Sequence, residues 1–357
     1  KYYPCRYGYF LQYVLGLRPR RRAELSADQS GSLMHWVLQM ALDPDPAPDN
    51  PCADMLAPFI ELDDDAMAEL AGLLVDEYAR RYLPEDTARF AYLLSRLKKS
   101  MASLLCYLRD EQRQSSFRPV ACELKIGSGG DGVRAQTYHL SDGRTVQLVG
   151  TVDRADEWVE EDGTRWVRVV DYKTGSKKLD LKEVYCGLDC QMLLYLFTLE
   201  RNAKRQFPGA TAAGVEYLLA DPAPKSVDRS ELGDDADPAP TYPMNGLLLD
   251  EESIYRAMDT KGTGEFVPLN FSAKTGKPLN AKSTLADSAK LGRIRDHLDG
   301  LLIDMAKNLY SGRIDAEPLC PGGGKSPCTY CDFRCACTHR DGEHERTINI
   351  KDDPFAE

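Results

Sequence analysis

Two stretches of the chain, GTVDRAD (150–156) and VVDYKTG (169–175), constrain its fold more than any other feature. Each sets an acidic residue at the end of an apolar, Val-rich run, and the EEDG at 160–163 between them reads as a hairpin turn. Such a hairpin brings Asp153 and Asp171 side by side at neighbouring strand ends. Lys173 follows Asp171 by two positions, and strand alternation turns both side chains to one face. The paired carboxylates make an oxygen-rich pocket suited to Mg²⁺ or Mn²⁺, hard ions that keep several waters. A bound divalent ion makes water nucleophilic near neutral pH, and a nearby ammonium steadies charge growing on a phosphate. Residues of these types in this pattern suit phosphodiester hydrolysis.

The surrounding sequence supplies the rest of an α/β fold. Apolar residues recur at helical spacing over Cys5–Leu17 and over 29–42, where Ser30 or Ser32 opens the helix. Two amphipathic stretches, about 63–82 and 86–112, form a helical layer. From 118 onward RPVACELKIG, RTVQLVGTVDRADEW and TRWVRVVDYKTG read as three strands, 179–206 as a helix and AAGVEYLLAD (212–221) as a further strand. A helix around 284–311 leads into a cysteine-rich tail. The expected architecture is α/β, a small mixed sheet flanked by helices with a helical cap. Along the chain it divides into N-terminal helices (1–42), a helical insertion (53–115), a core (118–221), an acidic insertion (222–245), a helical region (246–311) and the tail (312–357).

Composition excludes some classes. No run approaches the roughly 18 apolar residues of a membrane span, and nothing resembles a signal peptide, so a cytoplasmic protein with no membrane partner is expected. The chain opens on Lys1 and reads as structured at once, the expectation for a piece of a longer polypeptide. A net charge of -11 argues against a stand-alone nucleic-acid binder, although RPRRR (18–22) and KTGSKK (173–178) are local basic spots. Eleven cysteines point to metal ligation or buried thiols rather than a disulfide framework. PGGGKSP (321–327) lacks the leading glycine of a phosphate-binding loop and meets Pro327 where a helix should begin.

Four further residues can join the acidic pair. Glu123 lies on the preceding strand, His35 on the second helix, and Gln191 and Tyr195 are four apart on one helix face. Taken singly, a strand glutamate is usually solvated and a histidine on an apolar helix is usually a core residue. Taken in order, His35, GxxDRxD, DYKTG and QxxxY resemble the RecB-like branch of the PD-(D/E)XK nuclease superfamily. That resemblance implies a restriction-endonuclease-like core, a divalent metal held by His35, Asp153 and Asp171, and Glu123 completing the acidic face. It also implies a catalytic Lys173, with Gln191 and Tyr195 orienting the site and the DNA.

The tail, PCTYCDFRCACTHR (327–340), holds Cys328, Cys331, Cys335 and Cys337. A zinc site from all four would need Cys335 and Cys337 to converge across Ala336 alone, a poor spacing. Cys328, Cys331 and Cys337 give C-x2-C-x5-C, three thiolates on a compact loop, and Cys5 can supply a fourth. Iron-sulfur ligands need not be adjacent in sequence. Zinc remains the alternative metal, and Cys335 competes with Cys337. A lone cysteine before the first helix plus this tail resembles, over essentially the whole chain, the iron-sulfur nuclease domains of AddB-type subunits of bacterial helicase-nucleases. The resemblance implies a structural 4Fe-4S cluster on Cys5, Cys328, Cys331 and Cys337 and an AddA-type partner subunit. It further implies exonuclease action on the unwound single strand, the 5'-ended one, during repair of double-strand breaks by recombination. A catalytically silent DNA-binding or scaffold module and a free-standing Cas4-type exonuclease are the rivals. The intact Asp153, Asp171 and Lys173 weigh against the first, and the opening and the long helical stretch against the second.

Overall fold

The computed structural model describes residues 1–18, 27–45, 50, 59–83, 88–127, 132–175, 177–220, 242–272, 274–279, 284–324, 326–340 and 342–356. Most of the acidic insertion and Arg20 to Arg22 lie outside them.

The hairpin forms where the turn residues place it. Strands β4 (Gly150–Val159) and β5 (Arg165–Lys173) pair antiparallel, closed by Glu160 and Thr164 through backbone hydrogen bonds. β1 (Arg118–Ile126) pairs with the other edge of β4. Beyond β5 come β6 (Thr211–Leu219), parallel to it, then β7 (Met244–Leu249), antiparallel, and the two-residue β8 (Leu285–Ala286). The result is a six-stranded mixed sheet in the order β1-β4-β5-β6-β7-β8. β5 and β6 are buried along nearly their whole length because helices cover both faces, which is why they read as continuous apolar runs rather than alternating ones.

On one face Leu193, Leu196 and Leu199 of helix α6 (Gln191–Asn202) pack on Val167, Val169 and Val215. On the other, α2 (Ala27–Leu42), α3 (Asp64–Tyr82) and α4 (Ala88–Gln114) bring Leu38, Leu70, Leu74 and Leu104 against Val170, Tyr172 and Leu218. The stretch expected as an insertion therefore covers half the sheet. α3 is capped by Asp63, whose carboxylate accepts from the Ala66 amide at 2.8 Å.

Four sequence expectations change. RTVQLVGTVDRADEW is two strands, since β3 (Thr145–Leu148) pairs with β2 (Gln136–His139) in a separate small sheet before the chain enters β4. The helix expected over 179–206 breaks at Gly187, whose φ of +76° leaves α5 (Leu181–Tyr185) and α6 on either side. α2 starts at Ala27, so Ser30 and Ser32 sit inside it instead of capping it. The region 246–311 is not helical throughout: it opens within β7, carries α7 (Glu252–Met258) and β8, and ends with α8 (Ser288–Tyr310).

The two ends of the chain meet. The Leu319 amide donates to the Pro4 carbonyl at 2.9 Å, and Arg6 pairs with Glu317 at 3.3 Å. Among the described residues no helix is long and apolar enough to cross a membrane.

Candidate active site

The β4–β5 register ends with Arg154 opposite Val170, and one step beyond that pair Asp153 and Asp171 stand at the neighbouring strand ends. The Tyr172 amide donates to Asp153 Oδ2 at 3.3 Å, which fixes the Asp153 carboxyl at the strand end. Helix α2 lies across that end and lowers His35 onto it: His35 Nδ1 is 3.4 Å from Asp153 Oδ2 and 3.7 Å from Glu123 Oε1. Lys173 Nζ is 2.6 Å from Asp171 Oδ2.

Glu123 reaches the group by a local distortion. Its neighbours pair as Cys122 with Arg154 and Leu124 with Val152, yet Glu123 itself takes a φ of +49°. That conformation is costly for a residue with a Cβ and is concentrated at functional sites, where it re-aims a side chain. Among the described residues, His35, Glu123 and Asp153 are the group whose ligand atoms lie within 4.8 Å of one another. Asp171, expected among the metal ligands, lies beside them with its Oδ2 2.6 Å from Lys173 Nζ.

The electrostatics are those of a cation site. Burial, then the charge of Asp171, pushes the Asp153 carboxyl up to about 7. Asp171 is raised too, chiefly by burial, with Lys173 opposing. Burial alone would lower His35, but the Glu123 hydrogen bond and the surrounding carboxylates outweigh it and raise the imidazole. Carboxylates crowded this closely favour either protons or a metal ion. The oxygen-rich set with one imidazole nitrogen fits Mg²⁺ or Mn²⁺.

Two clefts meet at this point. One, of about 640 Å³, is lined by His35, Glu123, Asp153 and Lys173. The other, of about 1360 Å³, is lined by Asp171, Lys173, Lys177, Lys182, Gln191 and Tyr195, among others. Lys173 borders both. Gln191 Nε2 donates to the Tyr195 hydroxyl at 3.3 Å, so the two residues expected on one helix face do act as a pair.

A set of buried charges went unread in the sequence. Under the α4 face of the sheet, Arg154 bonds Glu111 at 3.1 Å and Asp156 at 2.9 Å, and Arg168 bonds Glu111, Asp156 at 2.8 Å and Glu216 at 2.9 Å. All five side chains are buried. Two guanidinium groups thus face three carboxylates, and burial pushes Glu216 up to about 7, which lets it take a proton. The DRAD of the first motif is accordingly half site and half scaffold: Asp153 faces the cleft, while Arg154 and Asp156 lock β4 to α4. The Arg–Asp pair two apart in DRAD was the available signal.

At the joined ends of the chain Cys5, Cys328, Cys331 and Cys337 line one cavity of about 200 Å³, whereas Cys335 is exposed and does not. A single tetrahedral ion needs its donors closer than about 4 Å apart. Among the described residues no three donors that include these sulfurs come within 4.8 Å of one another. A donor set of four thiolates spread around a cavity suits a multi-iron cluster better than one ion.

Comparison with known proteins follows the same lines. A family model described as the PD-(D/E)XK nuclease superfamily matches residues 1–338. Two proteins named as the B-type subunit of an ATP-dependent helicase/deoxyribonuclease, from Bacillus thuringiensis (strain Al Hakam) and Bacillus anthracis, are each 31% identical, over 341 and 343 residues, or 93% of the chain. The chain spans 28% of the length of these relatives. With the match running through almost its whole length and the acidic strand ends in place, the chain belongs to the PD-(D/E)XK nuclease superfamily.

Proposed function

We propose that the chain is the divalent-metal-dependent nuclease domain of an AddB-type component of a DNA helicase-nuclease, cutting one strand as an AddA-type partner helps to unwind the duplex. The observation that carries this reading is the joining of His35, Glu123 and Asp153 within 4.8 Å to the Lys173–Asp171 pair where two clefts meet.

His35, Asp153 and Asp171 would hold the metal, with Glu123 completing the acidic face. When bound, Mg²⁺ or Mn²⁺ supplies Lewis acidity and brings water toward hydroxide near neutral pH. Lys173, beside Asp171 at the junction of the two clefts, would offer its ammonium to the scissile phosphate. Lys177 and Lys182 line the larger cleft and meet the backbone phosphates of a single strand leading to Lys173. Gln191 and Tyr195 hold the wall of that cleft against β4. Cys5, Cys328, Cys331 and Cys337 hold a structural 4Fe-4S cluster that staples the ends of the domain, which the shared cavity and the contacts around Pro4 support.

The name the relatives carry, that of one subunit of a helicase/deoxyribonuclease, supports DNA as the substrate and a second subunit as the partner. Strand choice is tested with single-stranded DNA labelled at either end. Loss of the 5' label in short products under Mg²⁺, abolished by EDTA, is the expected result. Cleavage unaffected by EDTA would overturn the metal-dependent reading.

A further inference from the structure

The loop that carries KTGSKK is fixed in two places. Asn245 of β7 holds its backbone: the side-chain amide donates to the Lys177 carbonyl at 2.6 Å, and the Asn245 oxygen accepts from the Leu179 amide at 2.9 Å. Asp189 holds a side chain of the same loop, with Lys177 Nζ 3.1 Å from Asp189 Oδ1. That oxygen also accepts from the Tyr217 hydroxyl at 2.8 Å. Tyr217 stands opposite Asp171 in the β5–β6 register, and Asp171, Lys173, Lys177, Asp189 and Tyr217 all line the larger cleft.

Asp189 takes a φ of +30°, a left-handed conformation that is costly for a residue with a Cβ and persists where the surroundings over-determine it. It stands two residues beyond Gly187, so the break between α5 and α6 is what brings its carboxyl to Lys177. The Asp189 side chain is only 7% exposed, and among the described residues its Oδ2 has no hydrogen-bond partner. A buried carboxylate satisfied on one oxygen alone depends on the cation beside it, which keeps Lys177 against it. The neighbouring Lys178 is exposed. An ammonium has three hydrogens, so one on Asp189 leaves two for a phosphate. The rotamer freedom that a lysine loses on gripping a ligand is here lost before the ligand arrives.

We propose that Asp189 is a positioning residue for strand cleavage. Held by Tyr217, it fixes Lys177 as a second phosphate contact, four residues from Lys173, and so sets the register of the strand over the metal site. This rests on the reading of the chain as a nuclease and names what aligns its substrate. Asp189 also places a negative charge in a cleft that takes phosphates, which works against affinity. Its benefit lies in alignment, and alignment is read in kcat rather than in KM.

The test compares Mg²⁺-dependent cleavage of single-stranded DNA by the 357-residue chain, Asp189→Asn, Lys177→Ala and the two combined, with folding checked by circular dichroism. Asp189→Asn keeps an oxygen for Tyr217 and removes the charge. Its kcat should fall, by up to the ~10²-fold that a misplaced substrate costs, while KM stays level or drops. Beside Lys177→Ala it should slow cleavage no further. An unchanged kcat, a raised KM, or losses that multiply in the combined variant would overturn the proposal. The fixing itself is read without catalysis, by acetic anhydride labelling of the metal-free chain and mass spectrometry. Lys177 should react more slowly than Lys178 and approach its rate in Asp189→Asn. Equal rates in the unsubstituted chain would overturn the proposal as well. No Mg²⁺-dependent cleavage by the unsubstituted chain would sink the nuclease reading and this one with it, whereas cleavage with multiplying losses would sink this one alone.

Discussion

Gly150 lies directly beneath Tyr195: a Cβ on the glycine would stand 2.2 Å from the tyrosine hydroxyl. The first residue of GTVDRAD is therefore glycine because the helix that follows β5 rests its tyrosine on β4 at that point. Replacing Gly150 by Ala pushes Tyr195 out of the cleft wall and breaks its pairing with Gln191. Overpacking of this kind costs about 1–3 kcal/mol. A lowered midpoint in urea together with slower cleavage is expected. An unchanged midpoint would mean that Tyr195 moves aside freely.

The pH dependence of the metal-free chain follows from groups that hold protons only when folded. Asp153 and Glu216 sit at about 7, above the usual carboxylate range, and His35 is raised above its ordinary value. Between about pH 4 and 7 the folded chain binds more protons than the unfolded one, so stability falls as pH rises through that window. Urea unfolding in EDTA should give a lower midpoint at pH 8 than at pH 5.5. Mg²⁺ binds the ionised form of Asp153, so saturating Mg²⁺ should restore the midpoint at pH 8 far more than at pH 5.5. Equal restoration at both values would contradict the assignment of Asp153 as a ligand.

Arg168 bonds three carboxylates under the sheet with no solvent to replace it. Arg168→Met removes one positive charge and leaves Glu111, Asp156 and Glu216 buried together. Breaking such a set costs about 3–5 kcal/mol. Thermal unfolding should show that loss, whereas a neutral effect would mean that the carboxylates protonate at little expense.

Cys335 and Cys337 are two apart, but only Cys337 lines the shared cavity. Cys337→Ser should lose iron on purification, and Cys335→Ser should retain it. Iron lost from both, or from Cys335→Ser alone, would transfer the ligand role to Cys335.

What the sequence disclosed and what it hid divide along physical lines. The hairpin, the Asp153–Asp171 pairing, the Lys173 position and the covering helices follow from local pattern, because strand alternation and turn chemistry act over a few residues. His35 and the two ends of the chain were reached through motif order, since no local rule links residues more than a hundred positions apart. β7 was missed because Met244–Leu249 emerges from a Pro- and Asp-rich stretch, and β8 because two residues carry no period. Glu111 and Arg168 look like solvated surface charges until α4 is laid on β5. The closeness of Glu123 to His35 depends on a backbone angle of +49°, which nothing in ACELKIG announces.

The central claim is that Lys173, 2.6 Å from Asp171, serves a metal-dependent cleavage. It is tested most directly by incubating end-labelled single-stranded DNA with the anaerobically purified chain and Mg²⁺, beside Lys173→Ala at equal DNA occupancy. Cleavage by the unsubstituted chain, slowed about 10²–10³-fold or more in the variant with binding retained, is the expected result. Cleavage by Lys173→Ala at the unsubstituted rate would contradict it.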